Sequence, residues 1–279
     1  MSVRLTILGC GSSAGVPRIG NDWGDCDPNE PRNRRLRCSL LVEKRGEYGC
    51  TTVLIDTGPD LREQMLTANV SHLDAVLYTH AHADHLHGID DLRAFWLLSR
   101  HRTPVYMDKD THERALEAFR YCFEKPEGSN YPPILEHHPV EHGTPIEIVG
   151  DGGTLTFEPL TVRHGDIDAL GYRIENAAYI PDVSSISENS LNILKKLDIL
   201  ILDCLRRAPH PSHFCLEDSL EWTERIRPKT AVFTNLHCDL DYAELSRELP
   251  DTIRPAHDGL QIDLTKLEAD TGLLRHGGS

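Results

Sequence analysis

The chain has 279 residues, 39% of them hydrophobic, and a formal net charge of −15. That apolar fraction supports a sizeable core and excludes a disordered chain. The charge argues against a protein that coats nucleic acid, because phosphate backbones would be repelled over most of the surface, although bound divalent metals could still admit a small anion.

Read from the N-terminus, an apolar run over residues 3–8 predicts a strand, and Gly9-Cys10-Gly11-Ser12-Ser13-Ala14-Gly15-Val16-Pro17 follows it. This glycine-rich stretch is a poor dinucleotide fingerprint, since neither a helix nor a suitably spaced acidic residue comes after it. The basic run Arg32, Arg34, Arg35 and Arg37 contrasts with the acidic chain; it could draw in a phosphate or simply form a solvated face. Strands are predicted over 39–43 and 52–56, a helix over 60–68 after Gly58-Pro59, and a strand over 75–79. Leu86, Ile89, Leu92, Phe95 and Trp96 stand at helical spacing and predict a helix over 86–100. A strand over 104–107 and a helix over 111–123 come next, then a Pro- and His-rich segment, 125–143, that reads as irregular. Strands over 154–162, 171–174, 178–181, 199–203, 231–235 and 260–264 alternate with helices over 188–195, 216–226 and 242–248. Most of these strands hold consecutive Val, Ile or Leu, as expected where both faces of a sheet are covered. With no long linker and no internal repeat, residues 1–279 read as one domain of layered sheets with helices outside.

The segment from Tyr78 to Gly88 carries His80, His82, Asp84 and His85, three imidazoles and one carboxylate within six residues. Packing would not select such a cluster, whose members compete for burial and protonation. Metal coordination would, because imidazole and carboxylate suit Zn(II), Mn(II) or Fe(II) near neutral pH. Two ions held side by side form a hydrolytic clamp. Further ligands should stand at other strand ends, and His164, Asp182 and His237 each follow a predicted strand. Taken singly, each reads more readily as structural.

Together these residues resemble the metallo-β-lactamase superfamily, whose H-x-H-x-D-H signature stands here as His80, His82, Asp84 and His85. The early strand and turn Leu54-Ile55-Asp56-Thr57-Gly58 also match. The resemblance implies an α+β fold, a four-layer αββα sandwich of two mixed sheets with outer helices and metals at one edge. It implies His80, His82 and His164 on one ion, Asp84, His85 and His237 on the other, and Asp182 bridging. Within the superfamily the chain is similar to PhnP-like phosphodiesterases, through the opening glycine-rich segment, Arg37-Cys38-Ser39, Leu202-Asp203-Cys204, Asp241 and Asp258-Gly259-Leu260. Two departures stand out. Of the clustered cysteines that hold a structural zinc in PhnP, only Cys26 remains, so that zinc is not expected; Cys26 and Cys238 are expected near each other as thiols. The late motif reads Thr234-Asn235-Leu236-His237 where the family has His directly after Thr, which leaves His257 as an alternative last ligand.

The implied cofactors are two divalent metal ions, zinc or manganese, with iron also admissible. The implied reaction is hydrolysis of a small, cyclic or nucleotide-like phosphodiester, with Asp84 orienting the nucleophile. His213, in the loop after the strand 199–203, matches a catalytic histidine of the PhnP-like enzymes and is the candidate proton donor to the leaving oxygen; His210 reads as a solvated loop residue. The rival readings are a tRNase Z-like RNA-processing endonuclease, a thioester hydrolase and a ligand-binding member without turnover. The expected partner is a small phosphorylated substrate rather than nucleic acid or membrane, with a homodimer left open. The opening residues 1–9 hold too short an apolar run for a signal peptide and no later stretch could span a membrane. With Cys10, Cys26, Cys38, Cys50, Cys122, Cys204, Cys215 and Cys238 scattered, a cytoplasmic enzyme with reduced thiols is expected.

Overall fold

A computed structural model describes residues 2–267, so residue 1 and residues 268–279 of the span read as one domain lie outside the described residues. The strands are β1 (Ser2–Gly9), β2 (Ser39–Arg45), β3 (Cys50–Ile55), β4 (Ala75–Leu77), β5 (Thr103–Met107), β6 (Leu135–Pro139), β7 (Ile146–Gly150), β8 (Gly153–His164), β9 (Ile167–Ile174), β10 (Ala177–Ile180), β11 (Ile199–Asp203), β12 (Thr230–Thr234), β13 (Ile253–Pro255) and β14 (Gln261–Asp263). The helices are α1 (Leu61–Thr67), α2 (Ala83–Leu86), α3 (Arg93–Ser99), α4 (Lys109–Phe123), α5 (Glu188–Ile193), α6 (Leu216–Ile226), α7 (Tyr242–Glu248) and α8 (Leu264–Leu267).

The strands form two seven-stranded sheets, ordered β14-β1-β2-β3-β4-β5-β6 and β13-β12-β11-β10-β9-β8-β7. Both sheets follow one plan. In the first, β14, β1, β2 and β3 pair antiparallel, and β3 to β6 pair parallel. In the second, β7 to β10 pair antiparallel and β10 to β13 pair parallel. Between the sheets lies a shared core in which Leu5, Val42, Val53 and Ile55 meet Phe157, Tyr172, Tyr179, Ile201 and Val232. On the outer face of the first sheet, Leu54, Val76 and Val105 pack with Leu61 and Met65 of α1 and Phe95 of α3. On the second, Leu200, Leu202 and Phe233 pack with Ile226 of α6 and Leu245 of α7. The run Ile199-Leu200-Ile201-Leu202 thus feeds both layers alternately, which is why it is apolar without interruption. Truncating the fully buried Phe233 to Ala would cost about 3–5 kcal/mol. Helix, sheet, sheet, helix is the four-layer α+β sandwich that the resemblance implied.

Four local readings change. The segment 125–143 contains β6, whose Leu-Glu-His-His-Pro sequence has too few apolar residues to announce a strand. The edge strands β7 and β13 were not predicted, being short and bordered on one side only. The helix expected over 86–100 is broken, with α2, a 3-10 turn at Ile89–Leu92 and α3 in its place. Leu264, placed at the end of the last strand, opens α8 instead. Among the described residues no helix is long and apolar enough to cross a membrane.

Candidate metal centre

Parallel strands deliver their carboxyl ends to one sheet edge, and the chemistry-bearing residues gather there. Just past β4, His80 is buried, and His82 caps α2, whose first turn holds Asp84 and His85. Backbone packing fixes this loop. Thr57 N donates to the His85 carbonyl and Gly88 N to the Thr57 carbonyl, each at 2.8 Å. A Cβ on Gly58 would stand 2.2 Å from the Asp84 carbonyl, and one on Gly88 2.1 Å from the Gly58 carbonyl, so both positions require glycine.

Asp56, at the end of β3 with φ 66°, is wholly buried beneath the loop. Its carboxylate accepts from Thr79 N, Thr79 Oγ1 and His85 Nδ1, each at 2.8 Å. Two ring orientations follow. His85 bonds Asp56 through Nδ1 and turns Nε2 toward Asp182 and Asp84. Thr79 has given its hydroxyl proton to Asp56, so its oxygen accepts from His80 Nδ1 at 3.0 Å and leaves His80 Nε2 as a lone pair. The ring of His164, at the end of β8, is fixed likewise: Nδ1 donates to the Ser212 carbonyl at 2.6 Å, and Nε2 lies 3.2 Å from His82 Nδ1.

Three sets of ligating atoms come within 4.8 Å of one another: His80, His82 and His164; His80, His85 and Asp182; His164, Asp182 and His213. His85 Nε2 stands 3.0 Å from Asp182 Oδ2 and 3.5 Å from Asp84 Oδ2. Yet His80 Nε2, His85 Nε2 and Asp182 Oδ2 are buried and make no hydrogen bond. Buried polar atoms rarely go unsatisfied. Buried nitrogens and a carboxylate oxygen converging on one point fit a cation held among them, so the residues present suit the divalent ions that the signature implies. The electrostatics agree. Burial, reinforced by the neighbouring His85, holds His80 well below the usual imidazole range, and burial lowers His164, so both stay neutral as ligands must. Burial opposes charge on His85, but Asp182, Asp56 and Asp84 outweigh it and raise that imidazole well above its ordinary value. The cluster's carboxylates call for positive charge.

His213 stands at the rim of this cluster, its Nδ1 2.9 Å from Asp203 Oδ2 and 3.5 Å from Asp182 Oδ1. Burial pushes the Asp203 carboxyl up to about 7. Burial disfavours charge on His213, but its bond to Asp203 and that carboxylate's charge prevail and raise it above the usual range. His210, by contrast, is lowered by burial, and its Nδ1 faces Ser212 Oγ at 3.1 Å.

His237 does not join the cluster, which corrects its placement on the second ion. After β12 the chain turns at Asn235 (φ 61°), and His237 Nδ1 faces Asp239 Oδ1 at 3.2 Å, beside the Cys238 thiol. There Cys26 and Cys238 share a small apolar cluster with Val16 and Trp23, near each other as expected. His257 is no substitute: its Nδ1 meets its neighbour's carbonyl, that of Asp258, at 3.0 Å. The side chain that β12 brings to the centre is Asn235, whose Nδ2 donates to Asp203 Oδ1 at 3.1 Å and approaches Asp182 Oδ1 at 3.4 Å. Sequence reasoning missed Asn235, Asp203 and Asp56 as site residues; only their places at strand ends could have marked them.

A Beta-lactamase superfamily domain model matches residues 51–235, from β3 through the strand end at Asn235. The chain belongs to the metallo-β-lactamase superfamily. Among its PhnP-like members, a crystal structure described as a new diphosphatase from the PhnP family shares 40% identity and superposes with a TM-score of 0.84, covering 95% of this chain and 98% of that one. An octanoyltransferase from Porphyromonas gingivalis (strain ATCC BAA-308 / W83) is 34% identical over 93% of this chain but only 51% of its own length. A ribonuclease Z from Bradyrhizobium sp. (strain ORS 278) is 30% identical over 53% of this chain and 47% of that protein. The chain therefore spans about half the length of these curated relatives.

The metallo-β-lactamase centre opens into a cleft of about 690 Å³ lined by His80, His82, the first turns of α4 and the β8–β9 turn. Asp110, Glu113, Glu117, Asp166 and Asp168 face it, with Arg114 and Arg163. Both guanidiniums are engaged, Arg163 with Asp168 at 2.9 Å and Arg114 with Glu117 at 3.2 Å. The basic run is dispersed as well: Arg35 is buried against the carbonyls of His237 and Leu240, and Arg37 pairs with Asp60.

Proposed function

We propose that the chain is a dinuclear metal-dependent hydrolase, a phosphodiesterase acting on a small cyclic or nucleotide-like diester such as a phosphoribosyl cyclic phosphate. The observation that carries this reading is the convergence of buried ligating atoms from His80, His85 and Asp182 beside a proton-bearing His213–Asp203 pair. His80, His82 and His164 would hold one ion, Asp84 and His85 the other, and Asp182 both. Bound there, a pair of divalent ions supplies hydroxide at neutral pH and offsets charge on the phosphoryl group.

The chain's own residues do the rest. Asp56 and Thr79 hold the imidazoles in their ligating tautomers. Asp84, half-buried in the first turn of α2, aligns the attacking water. His213, steadied by Asp203, gives its proton to the departing ester oxygen. The acidic cleft repels a polyanion, which favours a small diester over RNA. The similarity to a PhnP-family diphosphatase over nearly the whole of both chains supports hydrolysis at a phosphoryl group.

The test is a substrate panel with protein reconstituted in Mn(II) or Zn(II): bis-p-nitrophenyl phosphate, cyclic phosphodiesters, a precursor tRNA and an octanoyl thioester. The last two belong because relatives carry the names ribonuclease Z and octanoyltransferase. Metal-dependent turnover of the small diesters is expected. Preference for the tRNA or the thioester would overturn the proposal.

A further inference from the structure

We propose that the two ion positions are unequal and that Asn235 makes them so: the ion among three imidazoles is retained, while the ion beside Asp84 and His85 exchanges with the surrounding supply. This rests on the metal-dependent reading above.

The first position draws on His80, His82 and His164, whose ligating atoms lie within 4.8 Å of one another. Two of those rings are pinned through Nδ1, by Thr79 and by Ser212. The second position has one imidazole, His85, with Asp84 and the shared Asp182. A fourth protein group should come from the end of β12, and Asn235 occupies that place. Its amide nitrogen faces two carboxylate oxygens, those of Asp203 and Asp182. Carboxylates accept, so the amide must present its donor side, and an N–H donor cannot ligate a cation. The Asn235 amide also engages an oxygen of Asp182, competing for the group the two ions would share. His237 is held away by Asp239. Imidazole nitrogens bind Zn(II) and Fe(II) firmly and Mn(II) less so, and second-position affinity for the first two falls with each one missing.

Graded dialysis of the metal-loaded protein against EDTA, with ions per chain counted by mass spectrometry, reads this directly. The native protein should release one ion at EDTA concentrations lower by on the order of tenfold or more than the second. Asn235→His should move the early release toward the late one. Asn235→Asp is the second variant, because Asp and His both tolerate the left-handed backbone at this position. His237→Ala should leave both steps where they are. Simultaneous loss of both ions from the native protein, or early release unmoved in both Asn235 variants, would overturn the inequality. A native protein that binds no metal at all would instead sink the hydrolase reading on which it rests.

Discussion

His85 donates through Nδ1 to Asp56 at 2.8 Å, and the same carboxylate oxygen accepts from Thr79, whose hydroxyl in turn receives His80. One buried acid therefore orients two imidazoles of the candidate metal centre.

Asp56→Asn should disturb both at once, because an amide offers one acceptor oxygen and places a donor against His85 or Thr79. Metal affinity is expected to drop by about 10–100-fold, measured by competition with a chromogenic chelator. Affinity equal to the native protein's would show that Asp56 serves the fold alone.

His213→Ala separates proton donation from positioning. Turnover of an alkyl phosphodiester should fall roughly 10²–10⁴-fold. An ester with a nitrophenol leaving group needs little protonation, so its loss should be much smaller. Equal losses on both esters would assign His213 to substrate placement instead.

The cleft's carboxylates predict how substrate charge is read. Among matched diesters, one with an ammonium arm should have a higher kcat/KM than one with a carboxylate arm, and Glu113→Lys should narrow the difference. A preference that ignores the substitution would place the arm outside this cleft.

Asp258, which is not among the grouped ligating residues, carries a pH signature of its own. Its carboxylate accepts from Cys10 N at 3.1 Å and Leu36 N at 2.7 Å, yet burial pushes its pKa up to about 7 from an ordinary 3.8. The fold holds the protonated form better than the unfolded chain does, so this stabilisation is complete below about pH 4 and is lost as pH rises to about 7. Asp258→Asn keeps one acceptor oxygen and cannot titrate. It should be less stable than the native protein, by a gap that narrows between pH 4 and 7 in urea unfolding. A constant gap would show that Asp258 keeps one charge state throughout.

Much of the site was legible because its signal is local. His80, His82, Asp84 and His85 sit on one turn, where spacing alone betrays shared chemistry. His164 and Asp182 were legible as strand-end residues, since both sheets bring their strand ends to one edge. Asn235 and His237 show where that logic stops. Both follow β12, and which one faces the centre depends on a single left-handed residue, invisible to composition or periodicity. Asp56 and Asp203 lie at the ends of otherwise apolar strands, where a lone acid looks the same whether it caps a turn or orients an imidazole. The edge strands β6, β7 and β13 escaped notice because an edge needs less apolar surface than a central strand.

Ser212 ties His164 to the loop of His213 by one hydrogen bond. Its carbonyl receives His164 Nδ1 at 2.6 Å, and its chain neighbour is His213. The ring proposed to hold an ion thus anchors the loop that carries His213, the proposed proton donor. A His164 that lost its Nδ1 proton, or turned over, would release that loop as well as the ligand. The proposed ligand and the proposed proton donor are therefore coupled through one backbone carbonyl, so a substitution that displaces His164 should disturb the loop of His213 as well.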